Sequence, residues 1–397
     1  MILLFRLILC FLIAGYCGGV LAADRKVGTI EELVTALSTT AVPGDTILLE
    51  EGTYQITTWA LAVNTPHLTI RGLSGIRENV IVQGQGMTTG SVDHGFFVAA
   101  HHVTIQDLTI QNVRNHGIQT DVNVDHLHVN NCIFRDTYEQ MLKVPYDIGV
   151  SDPSEDGLVE NCLFEYTAGI GPNWYIGGID VHFGKDWVVR KNIFTNIQSP
   201  GGDIAEHAIH FWTRSQGTLA EQNLIINCDR GIGFGLGSSP HFDGIIRNNM
   251  IYHDGSGEFP DVGIALESSS DTQIYNNTVI LNHTLHPNAI EYRFSDTTNA
   301  HIANNLTNKQ IISRDDGTGT VESNLTSARL SWFVNPSAGD LHLAHKIESV
   351  VNQGILITGL THDFDGDRRP LLGGIDLGAD EFKTANTVPQ NFLLLIP

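Results

Sequence analysis

The chain has 397 residues, 42% of them hydrophobic and 17% charged, with a formal net charge of -22. That balance excludes nucleic acid as a partner, because phosphate backbones are bound by clustered Lys and Arg. A polyanionic ligand would need a local basic patch or a bound cation set against the general field.

Residues 1–22, MILLFRLILCFLIAGYCGGVLA, carry one early Arg, a long apolar stretch and small residues suited to cleavage before Ala23. They read as a secretory signal peptide, with a retained membrane anchor as the alternative. The expected location is therefore secreted, periplasmic or on the cell surface. Next, TIEELVTALSTT places Ile30, Leu33, Val34 and Leu37 on one helical face, with Thr29 as N-cap and Glu32 as its capping-box partner. A turn and strand, VPGDTILLEEGTY, follow.

From there the chain repeats its grammar. Asp107, Asn131, Asn161, Asn192, Asn223, Asn249, Asn277 and Asn305 recur at intervals of 24 to 31 residues, each inside a short β-rich run such as LHVNNCIF or IIRNNMIY. Runs this short, rich in Val, Ile, Thr and Phe and without a helical period, predict strands. A period in this range predicts a solenoid whose coils lie one strand spacing apart, with the Asn column as an internal hydrogen-bonding ladder. The expectation is an all-β, single-stranded parallel β-helix with an N-terminal capping helix. It forms one domain over residues 23–382, followed by a tail, 383–397, whose PQNFLLLIP is too short to span a bilayer. No transmembrane span is expected after signal removal, and a monomer is expected. Cys132 and Cys162 follow consecutive Asn residues of the column and should stack on adjacent coils, as a disulfide or as two buried thiols, while Cys228 reads as a small core residue.

A second column lies about a dozen residues beyond the first, in GIQTD, MLKVP, GIDVH, AIHFW, GIGFG, GIALE and AIEYR. If the central apolar residue of each points inward, its alternate neighbours face outward. The outward series is Gln119 and Asp121, Lys143, Asp180 and His182, His210 and Trp212, Gly233 and Gly235, Ala265 and Glu267, and Glu291 and Arg293. Charged and imidazole groups gather in the middle coils, beside a floor left bare by Gly233 and Gly235. Glu206, His207, Arg214, Asp229 and Arg230 lie in nearby segments, with Trp174, Tyr175 and Trp212 as candidate sugar-stacking faces. Lys143, Asp180, His182, His210 and Arg230 are the expected catalytic group. Trp174, Tyr175, Glu206, His207, Trp212, Arg214, Gly233, Gly235 and Glu267 are the expected substrate-binding residues. A zinc reading of Asp180, His182 and His210 lacks a helix-borne pair or Cys support, so no metal ligands are assigned.

The helix, PGDTILLEEGTY and HLTIRGLSG together resemble the start of secreted right-handed parallel β-helix proteins of the pectate-lyase-like superfamily, which implies a right-handed sense for the β-helix. The segment THDFDGDRRPLLGGIDLGADEF resembles one that closes many such proteins. Its Asp363, Asp365 and Asp367 suggest an oxygen-rich calcium loop but lack the rest of an EF-hand, so a structural cap is preferred. No cofactor is required, and calcium is left open. GGIDVH followed by EHAI resembles the Asp-Pro-His and His-Gly-Ile of β-helix mannuronan epimerases, which implies that Asp180 and His182 line the active site and that Lys143 falls where those enzymes place a catalytic Lys. Their catalytic Tyr corresponds to Gly177, with Tyr175 two positions away.

Removal of the proton at C5 of a uronate needs a base and a cationic clamp on the adjacent carboxylate. The leading expectation is a lyase or C5-epimerase of an acidic extracellular polysaccharide, with His182 or His210 as base, Lys143 and Arg230 as clamp, and Asp180 orienting the imidazole. The alternatives are a hydrolase of a neutral glycan using Asp180 with Glu206 or Glu267, and a non-catalytic surface that only holds sugar.

Overall fold

The computed structural model describes residues 22–371 and 373–383. The expected signal peptide up to residue 21 and the tail beyond Lys383 lie outside the described residues. Short strands of two to six residues, broken at each turn, stack into parallel sheets of twelve, ten and ten strands, with a small five-stranded sheet beside them. Pairing is parallel and in register from coil to coil, as at Lys143 with Asp180 and Asp180 with His210. The chain therefore winds as a parallel β-helix. Among the described residues the one antiparallel strand pair, Phe333–Asn335 with Asp340–Leu343, belongs to the C-terminal cap.

One helix, Ile30–Thr35, runs on into a wider turn at Ala36–Thr40. The Glu32 N–H donates to Thr29 Oγ1 at 3.2 Å, and the Gly28 N–H donates to Glu32 Oε2 at 2.7 Å. The capping box thus forms with its second bond one residue earlier than the standard pattern. Leu33, Ala36 and Leu37 are buried in the core, so the helix covers apolar surface that the first coil would otherwise expose. Inside the coils like residues stack on like: Phe134, Phe164 and Phe194 lie 4.6 and 4.7 Å apart with nearly parallel rings. Pairs of this kind add about 0.5–1.5 kcal/mol beyond area burial.

The Asn column proves to be two columns. From Asn192 onward the ladder is inward: Asn192, Asn223, Asn249 and Asn277 each donate from Nδ2 to the Oδ1 of the next Asn at 2.9–3.1 Å, and Asn305 donates to Asn324. Asp107, Asn131 and Asn161 instead sit one position earlier, in the turn, with φ of 60°, 49° and 57°. Asn and Asp tolerate that left-handed conformation better than other residues with a side chain. In the later coils the turn position holds Lys191, Gln222, Asn248, Asn276 and Asn304, all at positive φ. The inward position of the early coils is filled by Leu108, Cys132 and Cys162, all buried. The two cysteines therefore take the place of ladder residues. Cys162 Sγ accepts the Cys132 N–H at 3.3 Å, the Cys162 N–H donates to Asn192 Oδ1 at 2.9 Å, and both thiols are free.

Near the C-terminal end, Asp363 is fully buried and accepts the N–H groups of Asp365, Asp367 and Glu381. Its oxygens are engaged in shaping the cap. Asp365 and Asp367 both contact Lys383.

Candidate functional site

The outward series lies on one ten-stranded sheet, and the register aligns Gln119, Lys143, Asp180, His210, Gly233, Ala265 and Glu291 in a single column. His182, Trp212 and Glu267 fall two residues further along their strands, and Glu267 pairs with Arg293. Inward Ile residues at 179, 209, 232 and 264 anchor these strands in the core, which forces their neighbours outward.

Lys143, Asp180 and His182 converge. The Lys143 ammonium bonds Asp180 Oδ2 and lies 2.9 Å from His182 Nε2. An ammonium only donates, so Nε2 accepts and the His182 ring hydrogen sits on Nδ1, which donates to Thr213 Oγ1 at 3.0 Å. Asp180 Oδ1 accepts the Trp212 indole N–H at 2.7 Å. Burial alone would raise the Asp180 carboxyl, but the Lys143 ammonium, aided by His182 and His210, holds it well below the usual carboxylate range. Burial pulls Lys143 down, and Asp180 outweighs that pull and raises it. Burial keeps His182 below the ordinary imidazole value despite Asp180. The outcome is a carboxylate, an ammonium and a neutral imidazole in contact.

His210 is buried beside them, its Nδ1 3.4 Å from Glu206 Oε2 and 4.0 Å from Asp180 Oδ1. Arg230 holds Glu206 at 3.3 Å and donates through Nε to the Ala205 carbonyl at 2.9 Å. Burial raises Glu206, and the His210 contact and Arg230 reverse this, leaving it lowered. Asp229 lies apart from the cluster as a turn residue, accepting the N–H groups of Ser199 and Ala205.

The expected glycine floor is not bare. A Cβ on Gly233 would lie 2.5 Å from His207 Nε2, and the His210 ring reaches the Gly235 carbonyl at 3.2 Å. Gly233 makes room for the His207 ring, whereas a Cβ on Gly235 would meet the Glu267 backbone carbonyl. Trp212 is likewise committed: its ring stacks on His210 at 4.9 Å and leans on His182 at 4.3 Å. Trp174 and Tyr175 remain exposed, 5.6 Å apart, and Tyr175 is near enough to Lys143 to add to its field. Arg214 lies over the Phe183 ring at 4.2 Å and donates to Tyr146 at 3.0 Å, at the edge of the cluster.

Thr213 and Tyr146 were not foreseen from the sequence. Thr213 has φ of 53°, unusual for a β-branched residue, and this turn aims its hydroxyl at His182. Nothing in the local sequence announces a left-handed Thr. Calcium does not fit the centre of this group, since it takes six to eight oxygen ligands. The carboxylates present, Asp180 and Glu206, are already held by Lys143 and Arg230.

The family model described as "Right handed beta helix region" matches residues 148–307. No curated protein sequence matches the chain. Among solved structures, an alginate lyase from Paenibacillus sp. str. FPU-7 aligns with a TM-score of 0.53 at 18% identity, over 76% of this chain and 99% of its own. Pectate lyase Pel9A aligns with a TM-score of 0.53 at 12% identity, over 92% of this chain and 98% of its own. At such identities the likeness speaks for the fold. The chain is a right-handed parallel β-helix protein, built on the scaffold that those two lyases share.

Proposed function

We propose that the protein is a polysaccharide-active enzyme that abstracts the C5 proton of a uronate unit, as a lyase or a C5-epimerase. The observation that carries this reading is the Lys143–Asp180–His182 contact, in which a neutral imidazole lies 2.9 Å from an ammonium on the outward face of the sheet. A base beside a cation is what abstraction next to a carboxylate requires.

In the proposed mechanism a uronate carboxylate takes the Lys143 ammonium as partner, which frees the His182 Nε2 lone pair to accept the C5 proton. Asp180 keeps Lys143 charged, and Thr213 keeps the ring hydrogen on Nδ1. Arg230 spends two of its N–H groups on Ala205 and Glu206, and its charge offsets the Glu206 carboxylate beside the site. In the lyase version the C4–O bond breaks as the C4=C5 double bond forms, and Tyr175 protonates the departing oxygen. In the epimerase version a proton returns to C5 from the opposite face. A hydrolase that pairs Asp180 with Glu206 would need one of them as a protonated acid, and both are held below their ordinary values. The likeness to an alginate lyase and a pectate lyase supports an acidic glycan as substrate class.

The test is incubation of the folded protein with alginate, pectate and glycosaminoglycans, read by ultraviolet absorbance of unsaturated products and by NMR at C5. Turnover of one of them that His182→Ala reduces at least a hundredfold is expected. No change in any substrate sinks both versions.

A further inference from the structure

Next to the Lys143–Asp180–His182 group, one strand and its approach bring together a second set of side chains that the proposed proton transfer does not use as acid or base. Glu206, His207 and His210 each offer one ligand atom, and these atoms all lie within 4.8 Å of one another. The hydrogen positions make the set informative. His210 Nε2 lies 3.2 Å from the Gly235 carbonyl, which only accepts, so in the neutral ring that nitrogen carries the hydrogen. The Nδ1 lone pair then faces two carboxylates, Glu206 and Asp180. His207 is 1% exposed, and neither of its ring nitrogens has a hydrogen-bond partner among the described residues. Arg230 donates to Glu206 Oε2 and the Trp212 indole to Asp180 Oδ1, but no hydrogen-bond partner reaches His210 Nδ1 or either ring nitrogen of His207 among the described residues, an arrangement that buried polar groups rarely adopt unless a cation joins them.

The surroundings match a metal site as well. A ligating His characteristically ties its second nitrogen to a backbone carbonyl, as His210 does to Gly235, and a ligating carboxylate is itself held, as Glu206 is by Arg230. Gly233 leaves the space that the His207 ring fills. Two imidazoles with a carboxylate suit zinc, cobalt or a similar divalent transition ion, and not calcium. We propose that Glu206, His207 and His210 bind a divalent transition-metal ion, with Asp180 as its neighbour on the preceding coil. The ion would add positive charge for a uronate carboxylate. That role rests on the uronate reading, whereas the site itself does not.

The experiment takes the full chain stripped with EDTA and titrates it with zinc by calorimetry and with cobalt(II) by visible absorption. One equivalent should bind, with cobalt bands of low coordination number, and His207→Ala and Glu206→Gln should each weaken binding at least tenfold. Gly233→Ala, which crowds the His207 ring without removing a ligand atom, should weaken it as well, and circular dichroism checks that each variant is folded. Asp365→Asn is the comparison, because His342, Asp365 and Asp380 form a second group of ligand types in the C-terminal cap. Zinc retained by His207→Ala and lost by Asp365→Asn would overturn the assignment, as would absence of binding to the folded wild-type chain. Zinc bound at Glu206, His207 and His210 by a protein inert toward every uronate polymer would uphold the site and sink only the uronate role.

Discussion

Asp180 is the residue on which the candidate site turns, since Lys143, Trp212 and, more distantly, His182 and His210 all address its two oxygens. Asp180→Asn would leave a buried ammonium without its counter-ion. Breaking a buried pair in this way costs about 3–5 kcal/mol, so urea denaturation should show a loss of that order together with loss of turnover. Both glycines of the neighbouring coil should resist a side chain. Gly233→Ala puts a Cβ 2.5–2.7 Å from three atoms of the buried His207 ring, overpacking that costs about 1–3 kcal/mol. Gly235→Ala puts a Cβ 1.9 Å from the Glu267 carbonyl oxygen at φ of 77°. That backbone clash should destabilise by more than about 1 kcal/mol, measurable in the same denaturation series. At this scale the sequence is informative about which residues share a column and silent about what they touch. Lys143, Asp180 and His182 could be aligned from strand alternation, but the use of Trp212 and Gly233 by the histidines depends on rotamers and on a left-handed Thr213.

The strand and turn elements explain why the ladder changes residue midway. Asn249 accepts from the backbone N–H and Nδ2 of Asn223, and donates to Asn277 Oδ1 and the Ala220 carbonyl, all while fully buried. Asn249→Leu would leave the Asn223 backbone N–H without a partner and Asn223 Nδ2 with the Val189 carbonyl alone, at about 1–3 kcal/mol for the buried group orphaned. The expected result is a fall in melting temperature and early hydrogen exchange in the coils on either side. In the early coils Cys162 receives the Cys132 N–H through sulfur, a weaker acceptor. Cys162→Asn, which would extend the ladder by one coil, should therefore be tolerated better than Asn249→Leu, and thermal denaturation compares the two directly. The sequence shows both columns but not their offset by one residue, because Asn serves two needs here. It satisfies an inward ladder with its amide, and it tolerates positive φ in the turn.

Across the whole molecule, many buried histidines tie stability to pH. Burial lowers His116 and His241 to about 3 and His94, His253 and His283 to about 4. Below the ordinary imidazole value of 6.5 the unfolded chain binds protons at these positions that the folded chain refuses. Their contribution is thus fully present above pH 6.5 and is lost as pH falls toward 4. His286 is raised to about 9 by its bonds to Asp261 and Glu291. Burial lowers His342, yet Asp340 and Asp365 lift it to about 10. These two contribute below 6.5 and lose that contribution as pH climbs through 9 and 10. A stability maximum near pH 6.5, falling more steeply on the acid side, should appear in melting temperatures measured from about pH 4 to about pH 9. The architecture itself was legible in the sequence because a solenoid writes its geometry locally: each coil repeats the same apolar alternation and the same turn chemistry, so strand identity, stacking direction and the outward face of Lys143, Asp180, His182 and His210 follow from spacing alone. The way His207 and His210, three apart on one strand, come within 4.6 Å of each other over Gly233, and the pairing of each carboxylate with its cation, only the tertiary structure decided. Side chains from different coils choose partners through contacts about one strand spacing apart in space but some thirty residues apart in the chain, and no local pattern encodes that choice.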